Sequence, residues 1–588
     1  MKTPLVISNL HSFFALFSLG LRVAALLLIP EPLAAQVVTI PDPTLEKLLR
    51  QSLRKPPNAS ITVADISRLD RLSITLGSPF DKPIASLEGL QAATNLVVLE
   101  FTGLYLFFPD GTFGKPYTAT ALLEDGLAPL NALTKLESLS FEGCRFPSLV
   151  LPSGITNLRS LSLVDCGTTN LSIPDTITNL ISLALRSNAI DLSAPGALPA
   201  DRSHLKSLDL ADLASVDLSW VDALTGLTTL KLANVGLTNL TLPDATFRRI
   251  KHFELSRSTQ VKDLSFLGKF TALESLNLSG NALTNLDLPS NLSTLTSLNL
   301  RSNLLTRFVP PSSAPLVELE LYGNRLADAD FLTQLPQLVS LTLAANRIVN
   351  LALPPRMTNL FSLSLSPGIL TNLVLPEGMA QLSSLSLAKN QLRELVLPVG
   401  MTSLARLELD GNPLTRITIS EPMPSVDQLW APNCRLTETG FLAQLPNIRE
   451  IFLFNNHFTE LTLPDGLSNL SRLDVSRNKI TRLNLSRGLT SLDTVTATDN
   501  PLAEFWAPAD FHPQEWFSIQ GFDIGNIAFY PVLDLARSAA GIEVRWLGGA
   551  LQTRNSLSQG DWVDLPDAKS PWVLDTAAPM KWFRVRLE

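Results

Sequence analysis

Three cysteines, Cys144, Cys166 and Cys434, are the first candidates for covalent chemistry in this 588-residue chain, because a thiolate is a strong nucleophile. Five histidines are present, but none stands in an H-E-x-x-H or similar metal-binding spacing. The chain also lacks the G-x-S-x-G motif of hydrolases and the G-x-x-x-x-G-K-[ST] phosphate loop. Its carboxylates are scattered. We therefore expect no enzyme activity, no metal and no cofactor, and a hydrolase is the least favoured alternative.

The cysteines share one position of a repeat, L-x-x-L-x-L-x-x-N, which is clearest at Leu382, Leu385, Leu387 and Asn390. Its first leucine recurs between positions 96 and 492 with a period of roughly 22 residues, within the range of leucine-rich repeats. The last position of the pattern is Asn in ten repeats and Cys in all three cysteine-containing ones. An amide or a thiol at this position can satisfy backbone groups in the bend after a strand. We therefore expect three buried, unpaired structural thiols rather than a disulfide or a nucleophile.

A period of this length with this pattern is the signature of a leucine-rich repeat solenoid. The L-x-x-L-x-L segment alternates like a strand, so its leucines point inward and each coil adds one strand to a parallel sheet on the concave face. The back half of the repeat has two forms: L-x-L-P, as at 285–289, and D-A-D-F-L-T-Q-L-P-Q at 328–337. They predict short extended and 3₁₀ segments on the convex face.

The two ends of the chain differ from the repeats. Residues 1–35 have basic residues, the apolar run 23–29 and small residues near Ala35, which is the layout of a secretory signal peptide; an uncleaved anchor is the alternative. Residues 36–84 predict a helical cap and a degenerate first coil. The solenoid is expected over 85–515, with about 18 coils and an insertion near 107–124.

Residues 531–588 alternate like strands and contain turn residues, which predicts a small antiparallel, sandwich-like β domain. Composition limits the partners of the whole chain. Its net charge is −8 and it has no basic stripe, so we expect no nucleic-acid partner. No uncharged apolar run long enough to cross a bilayer follows position 40, so the mature chain is expected to have no membrane span.

Residues 41–500 resemble bacterial leucine-rich repeat surface proteins of the internalin type, which have a helical cap, coils of the same period and a β domain. The tail resembles a small fibronectin-like module through elements at Trp546–Gln552, Gly560–Trp562 and Phe583–Arg586. The resemblance implies a secreted or cell-surface protein that binds other proteins. Two features differ from internalins. The back half of the repeat has L-x-L-P segments where internalins have helical ones, and the sequence has no C-terminal L-P-x-T-G wall-sorting signal.

The outward positions of each strand are the third, fifth and seventh of the repeat. The third is Ser in nine repeats, so most of the predicted face is small and polar. One region combines exposed aromatic and charged residues, a composition typical of binding surfaces. We predict the ligand-binding residues to be Arg406, Glu408, Asp410, Gln428, Trp430, Glu450, Phe452, Phe454, Arg472 and Asp474. A smaller candidate is Glu318, Glu320 and Tyr322.

These features favour an extracellular binding protein, expected to be a monomer, that holds a protein or glycan ligand on its concave face. An adhesin or matrix-attachment protein acting through the C-terminal β module is the alternative. In that case the module's tryptophans would be exposed and would stack on sugars, whereas burial would make them core. A third interpretation is that the last coils or the module cover the aromatic residues of the predicted site.

Overall fold

The computed structural model describes residues 36–75, 84–103, 126–144, 146–213 and 217–508, and strands between 518 and 586. The predicted signal peptide at 1–35 and the insertion at 107–124 lie outside the described residues. So do Trp516 and Phe517, two aromatic residues that the sequence predicts to cover the last coil. The chain divides into two compact units, Met1–Leu273 and Glu274–Glu588. Within the described residues, no helix is long and apolar enough to span a bilayer.

Each unit is built on parallel strands formed by the L-x-x-L-x-L segments, here called the main sheet. In the described part of the first unit these strands are Arg71–Thr75, Val98–Thr102, Ser138–Glu142, Ser160–Val164, Ser182–Ala184, Ser207–Asp209, Thr229–Lys231 and His252–Glu254. In the described part of the second unit they are Ser275–Asn277, Ser297–Asn299, Glu318–Glu320, Ser340–Thr342, Ser362–Ser364, Ser384–Ser386, Arg406–Glu408, Gln428–Trp430, Glu450–Phe452, Arg472–Asp474, Thr494–Thr496 and Ser518–Gln520. This stacking confirms a leucine-rich repeat solenoid.

Inward and outward side chains alternate along each strand because successive residues of a strand face opposite sides. Leu385 is buried, while Ser384 is exposed and Ser386 half-buried. The register keeps equivalent residues side by side, so that Leu363 pairs with Leu385, which pairs with Leu407. Each coil therefore stacks its leucines on those of its neighbours, which supply the wall that one coil lacks.

Buried asparagines join one coil to the next after most strands of the second unit. The Asn303 side chain is 3% exposed, and its Oδ1 accepts from the backbone amides of Asn281 at 2.9 Å and Leu283 at 3.1 Å. Its Nδ2 donates to Leu278 O at 2.9 Å on the preceding coil and to Leu300 O at 3.0 Å on its own. The predicted role of this position as a bridge between coils is confirmed, because a single amide bonds backbone groups of two coils.

The residue before this asparagine adopts a left-handed backbone conformation. Its φ is +52° at Lys389, +55° at Arg477 and +68° at Gly411. Glycine accepts such a φ without strain, whereas long side chains such as Lys389 adopt it rarely. The same bend precedes Leu213 and Cys434, where φ is +59° at Asp212 and +55° at Asn433, so it does not depend on the Asn and the position tolerates many residue types.

The series of asparagines is interrupted at Gly368. Asn390 Oδ1 accepts from Leu370 N at 3.0 Å, and Asn346 Nδ2 donates to Leu343 O at 2.8 Å, but Gly368 has no side chain to bond either neighbour. A cavity of about 20 Å³ lies beside it. This pocket is partly open to solvent and is large enough for one water molecule.

The back segments have the two predicted forms. Short parallel strands pair 148–150 with 170–172, 285–287 with 307–309, 350–352 with 372–374 and 394–397 with 416–419, and join 460–462, 482–484, 504–508 and 527–530. One-turn 3₁₀ segments are Leu90–Ala92, Ala128–Ala132, Ser219–Ala223, Ser265–Lys269, Asp330–Gln334 and Gly440–Gln444. The L-x-L-P pattern also occurs at 239–243, but no strand forms there, and an α-helix, Asp244–Arg249, follows it.

The N-terminal helix is Pro43–Ser52, and the Asp42 carboxylate caps it by accepting from Thr44 N and Leu45 N. Proline suits the first helical position because its missing N–H would be unpaired there. Leu45 and Leu49 are buried. A second helix, Val63–Ile66, follows, and the first strand, Arg71–Thr75, pairs with Val98–Thr102. The leucines of 41–53 therefore form a helix that covers apolar surface, as their spacing predicts.

Parallel pairing continues beyond 515, where the repeat pattern no longer shows it. Thr494–Thr496 pairs with Ser518–Gln520, and Phe505–Pro508 pairs with Ile527–Tyr530. The strands Val532–Ser538, Gly541–Leu547 and Trp572–Val573 then form one antiparallel sheet, and Ala550–Arg554, Val563–Asp564 and Trp582–Arg586 form another. The predicted antiparallel C-terminal strands are present. The domain limits given above stay predictions.

Candidate ligand-binding face

The ten predicted ligand-binding residues, here called the patch, lie on four consecutive coils of the second unit. Arg406, Gln428, Glu450 and Arg472 are in register, and so are Glu408, Trp430, Phe452 and Asp474. Asp410 and Phe454 follow the first and third of these strands. The four coils therefore bring together residues that are far apart in the sequence.

Three aromatic rings lie at the centre of the patch. The ring centroids of Trp430 and Phe452 are 4.4 Å apart, at an interplanar angle of 48°. Trp430 meets Phe454 edge-on, with a centroid distance of 6.0 Å and an angle of 88°. Both distances lie at or near the range of favourable aromatic pairs, which contribute about 0.5–1.5 kcal/mol each beyond the area they bury.

Phe452 is not an exposed aromatic, which corrects the sequence-based prediction. Only 6% of the residue is accessible although it occupies an outward position. Trp430 covers it on one side, and the Arg472 guanidinium lies 5.1 Å from its ring centroid on the other. Trp430 and Phe454 are half-buried. These two rings are therefore the aromatic surface of the patch that a ligand can contact, and Phe452 supports them.

The polar residues of the patch are partly bonded to one another. Gln428 Nε2 donates to the Glu450 carboxylate, and the Arg406 guanidinium lies 3.4 Å from the Glu408 carboxylate. Asp410 accepts from Asn433 Nδ2 at 2.7 Å. Exposed ion pairs of this kind contribute about 0–1 kcal/mol, so a ligand can displace them at small cost.

The coils beside the patch carry short side chains at the same positions. Ser384 and Ser386 precede it in register, and Thr494 and Thr496 follow it. The aromatic cluster is therefore bounded along the main sheet by small polar residues. A local change from Ser and Thr to Trp and Phe is a compositional contrast typical of binding surfaces.

The smaller candidate has its polar groups occupied. Ser297 Oγ donates to Glu318 at 3.0 Å and Thr342 Oγ1 donates to Glu320 at 3.1 Å. The Arg301 guanidinium lies 4.3 Å from the ring centroid of Tyr322. These contacts link neighbouring coils, so this group is a weaker candidate than the patch.

A charged pair on the main sheet of the first unit was not predicted from the sequence. The Arg186 guanidinium lies 2.6 Å from the Asp209 carboxylate, and Asp209 is 6% exposed. The hydrogen bond to Asp209 raises the pKa of Arg186 above its ordinary value. Comparison of Arg186, at the seventh position of its repeat, with Asp209, at the fifth position of the next repeat, would have found it.

A recess of about 370 Å³ in the first unit is lined by Trp220, Asp191 and Asp217 among others. Its polar groups already bond locally: Asp191 accepts from Ser193, Asp217 accepts from Ser219, and Trp220 Nε1 donates to Asp217 O at 2.7 Å. Such bonds define turns, and they account for these residues without a ligand.

The three cysteines are buried and unpaired, as their place in the repeat predicts. Burial raises the pKa of Cys144 and Cys166 to about 12 and that of Cys434 to about 11. At neutral pH all three are therefore thiols rather than thiolates, and they are unsuited to nucleophilic catalysis. Among the described residues, no group of three His, Cys, Asp or Glu side chains is placed to hold a metal ion.

Comparison with protein families supports the assignment of the repeats. The profile of the BspA type leucine rich repeat region matches six copies, over residues 126–196 and 221–320. The chain therefore contains BspA-type leucine-rich repeats, a fold typical of modules that recognise ligands and generally do not catalyse reactions. The comparison with curated proteins gives no match.

Several solved leucine-rich repeat structures are similar to this chain. YopM from Yersinia enterocolitica is 20% identical, with 81% of this chain and 99% of that chain covered and a TM-score of 0.46. The Arabidopsis receptor kinase HAESA, solved with a peptide hormone and a co-receptor, is 22% identical over 76% and 77%, with a TM-score of 0.42. An internalin from Listeria monocytogenes is 20% identical over 81% and 96%, with a TM-score of 0.25. Likeness at this level concerns the repeat fold and not a ligand.

Proposed function

We propose that this chain is a secreted or cell-surface protein that binds an extracellular protein or glycan on the concave face of its solenoid, through the patch. The observation that carries the proposal is the cluster of Trp430, Phe452 and Phe454 at outward positions of a sheet that elsewhere presents mainly Ser and Thr. Exposed aromatic surface rimmed by charge is typical of binding sites, and a solenoid sheet offers such a surface without disturbing the core.

The different roles of the inward and outward residues on these strands support this proposal. Inward residues of the same strands, such as Leu429 and Ile451, are fully buried and hold the coils together. The outward aromatic residues are not needed for that purpose, because Ser occupies the same positions in other coils. Trp430, which packs on Phe452, and Phe454, which packs on Trp430, both keep accessible surface. Truncation of half-buried aromatic residues at the centre of an interface usually costs the most binding energy.

Secretion is the part of the proposal that rests on the sequence alone. The basic N-terminal residues, the apolar run 23–29 and the small residues near Ala35 support export. N-terminal sequencing of the protein recovered from the culture medium or cell surface would test it. We expect the mature chain to begin close to residue 36; retention of the first residues would favour the uncleaved anchor instead.

The binding proposal is tested by capture of partners from panels of extracellular proteins and glycans. The full-length chain is compared with a variant that carries Trp430→Ser, Phe452→Ser and Phe454→Ser. A matched control carries Glu318→Ser, Glu320→Ser and Tyr322→Ser on the same sheet. We expect the first variant to lose the partner and the control to retain it, with both folded by circular dichroism.

Unchanged binding by the aromatic variant would overturn the proposal and direct the search to the 107–124 insertion or the C-terminal strands. Unfolding of the triple variant would show that these side chains are core. The single changes Trp430→Ser and Phe454→Ser then keep the test usable, since both residues are only half-buried.

A further inference from the structure

We infer that the patch takes a cationic side chain of a basic protein segment. Such a lysine or arginine would lie on Trp430 and Phe454, and Asp410 and Asp474 would supply the counter-charges. The inference rests on the proposed function and specifies the chemistry of its ligand. It rests on the arrangement of aromatic and charged side chains within the rows of the patch.

The patch already contains one contact of the proposed kind. The Arg472 guanidinium lies 5.1 Å from the centroid of Phe452, within the distance at which a cation is attracted to the face of an aromatic ring. Trp430 binds cations more strongly than Phe, and it is half-buried, so part of its indole is free for a partner. Phe454 meets it edge-on and widens the aromatic surface.

The arginines of the patch are confined to one row. The two arginines, Arg406 and Arg472, are in the third-position row with Gln428 and Glu450. The fifth- and seventh-position rows, which contain the aromatic residues, carry only carboxylates: Glu408, Asp410 and Asp474. A positive group above the aromatic residues would therefore meet acidic side chains on the coils on both sides.

Two of these carboxylates keep their charge uncompensated. Asp410 accepts from Asn433, and Asp474 accepts from Ser476 N and Oγ, so their partners are neutral. Within the described residues neither forms an ion pair, whereas Glu408 lies 3.4 Å from Arg406. A neutral hydrogen bond orients a carboxylate without cancelling its charge, so both remain available to a cation.

The charged residues around the patch do not outweigh the negative charge beside its aromatic rings. At the bend after the strands, Arg477 lies 3.5 Å from Asp499. At the strand starts, Asp427 and Arg449 are exposed residues of opposite sign on adjacent coils. Lys389 is exposed at the bend before Asp410 and forms no ion pair within the part of the chain that the structure describes. An acidic ligand, in contrast, would face Glu408, Asp410, Glu450 and Asp474 together.

The spacing of the Asp410 and Asp474 carboxylates fits a basic peptide segment rather than a single ion. Asp410 and Asp474 belong to coils three strand spacings apart, which is about 14 Å. An extended chain advances roughly 3.3 Å per residue, so basic side chains four positions apart are separated by about 13 Å. A segment that crosses the coils can place one basic residue near each carboxylate.

The test uses a capped glycine–serine peptide with two arginines four positions apart, labelled for fluorescence anisotropy, and an equivalent peptide with two glutamates. We expect the full-length chain to bind the arginine peptide saturably, more weakly at high salt, and not to bind the glutamate peptide. Asp410→Asn with Asp474→Asn should weaken binding roughly tenfold, and Trp430→Ser should abolish it. Asn at either position still accepts the existing hydrogen bonds, so the fold is retained.

The matched control is Glu318→Gln with Glu320→Gln, which removes two acidic residues elsewhere on the same sheet and should leave peptide binding unchanged. Binding of both peptides alike, or of neither, would overturn the inference. If the aromatic triple variant loses a captured partner while the arginine peptide fails to bind, the patch is a binding site for another chemistry: the proposed function stands and this inference fails. A captured neutral glycan would also contradict it.

Discussion

Replacing Asn303 with alanine tests whether the buried amides hold adjacent coils together. The substitution removes the acceptor of the Asn281 and Leu283 amides and one donor to Leu278 O. Leu278 O keeps the bond from Asn281 Nδ2, so two backbone N–H groups lose their partner. A buried donor left without a partner costs about 1–3 kcal/mol, which gives roughly 3 kcal/mol for the two, since Leu283 N is only partly buried.

Hydrogen exchange is the suitable assay because a solenoid opens locally and a single unfolding transition does not describe it. We expect the amides of 278–305 to exchange roughly 100-fold faster in the Asn303→Ala variant, the equivalent of about 3 kcal/mol. The matched control is Asn447→Ala. Asn447 also bonds the preceding coil, through Nδ2 to Pro424 O at 2.9 Å, but it is exposed, so water replaces its amide.

Equal exchange rates in the two variants would refute the reasoning, since burial is what distinguishes the two asparagines. Asn390→Ala offers a second comparison. Its amide bonds Leu370 N and Leu365 O, but the cavity of about 20 Å³ beside Gly368 can admit a water to the freed groups. We therefore expect a smaller effect there than at Asn303.

Three further predictions concern other parts of the chain. Thr168 is fully buried, its Oγ1 has no hydrogen-bond partner among the described residues, and adjacent coils have Phe146 and Ile190 at that position. Thr168→Val should therefore stabilise this coil by about 1 kcal/mol in hydrogen exchange of residues 146–190, whereas Thr168→Ser should destabilise it. The three cysteines should resist iodoacetamide at pH 8 in the native protein and react only after denaturation, as mass spectrometry would show; fast native alkylation would contradict their burial. Burial raises the pKa of Asp65, but hydrogen bonds from Lys55 and Thr62 outweigh this effect and hold the pKa at about 2. The carboxylate therefore stabilises the cap above pH 4, and this stabilisation is lost as the pH falls toward 2. Asp65→Asn should remove that pH dependence in hydrogen-exchange measurements of residues 43–66.

The repeat could be predicted from the sequence because one period sets both structure and burial. Leu382, Leu385 and Leu387 follow the alternation of a strand, and the fixed period places equivalent leucines side by side in the sheet. The two forms of the back segment could also be predicted, because apolar and polar residues alternate in L-x-L-P and do not alternate in D-F-L-x-Q-L. Local patterns of this kind need no knowledge of distant residues.

Other features depend on contacts that no local pattern shows. The burial of Phe452 is produced by Trp430 on the preceding coil and Arg472 on the following one. The continuation of the parallel strands to Ser518–Gln520 was missed because the spacing between strands lengthens after Thr494 and the leucines disappear. The left-handed residues at the bends share no side-chain type, so the sequence around them does not show the positive φ.

The packing of Phe452 has a consequence for how this surface can evolve. Most outward positions of the main sheet hold small residues that touch little, so each can change independently of the others. Phe452 instead lies between Trp430 and Arg472, and a change at any of the three alters the surroundings of the other two. Selection for a new ligand at this place must therefore act on the three residues together, and related sequences should show them varying as a group.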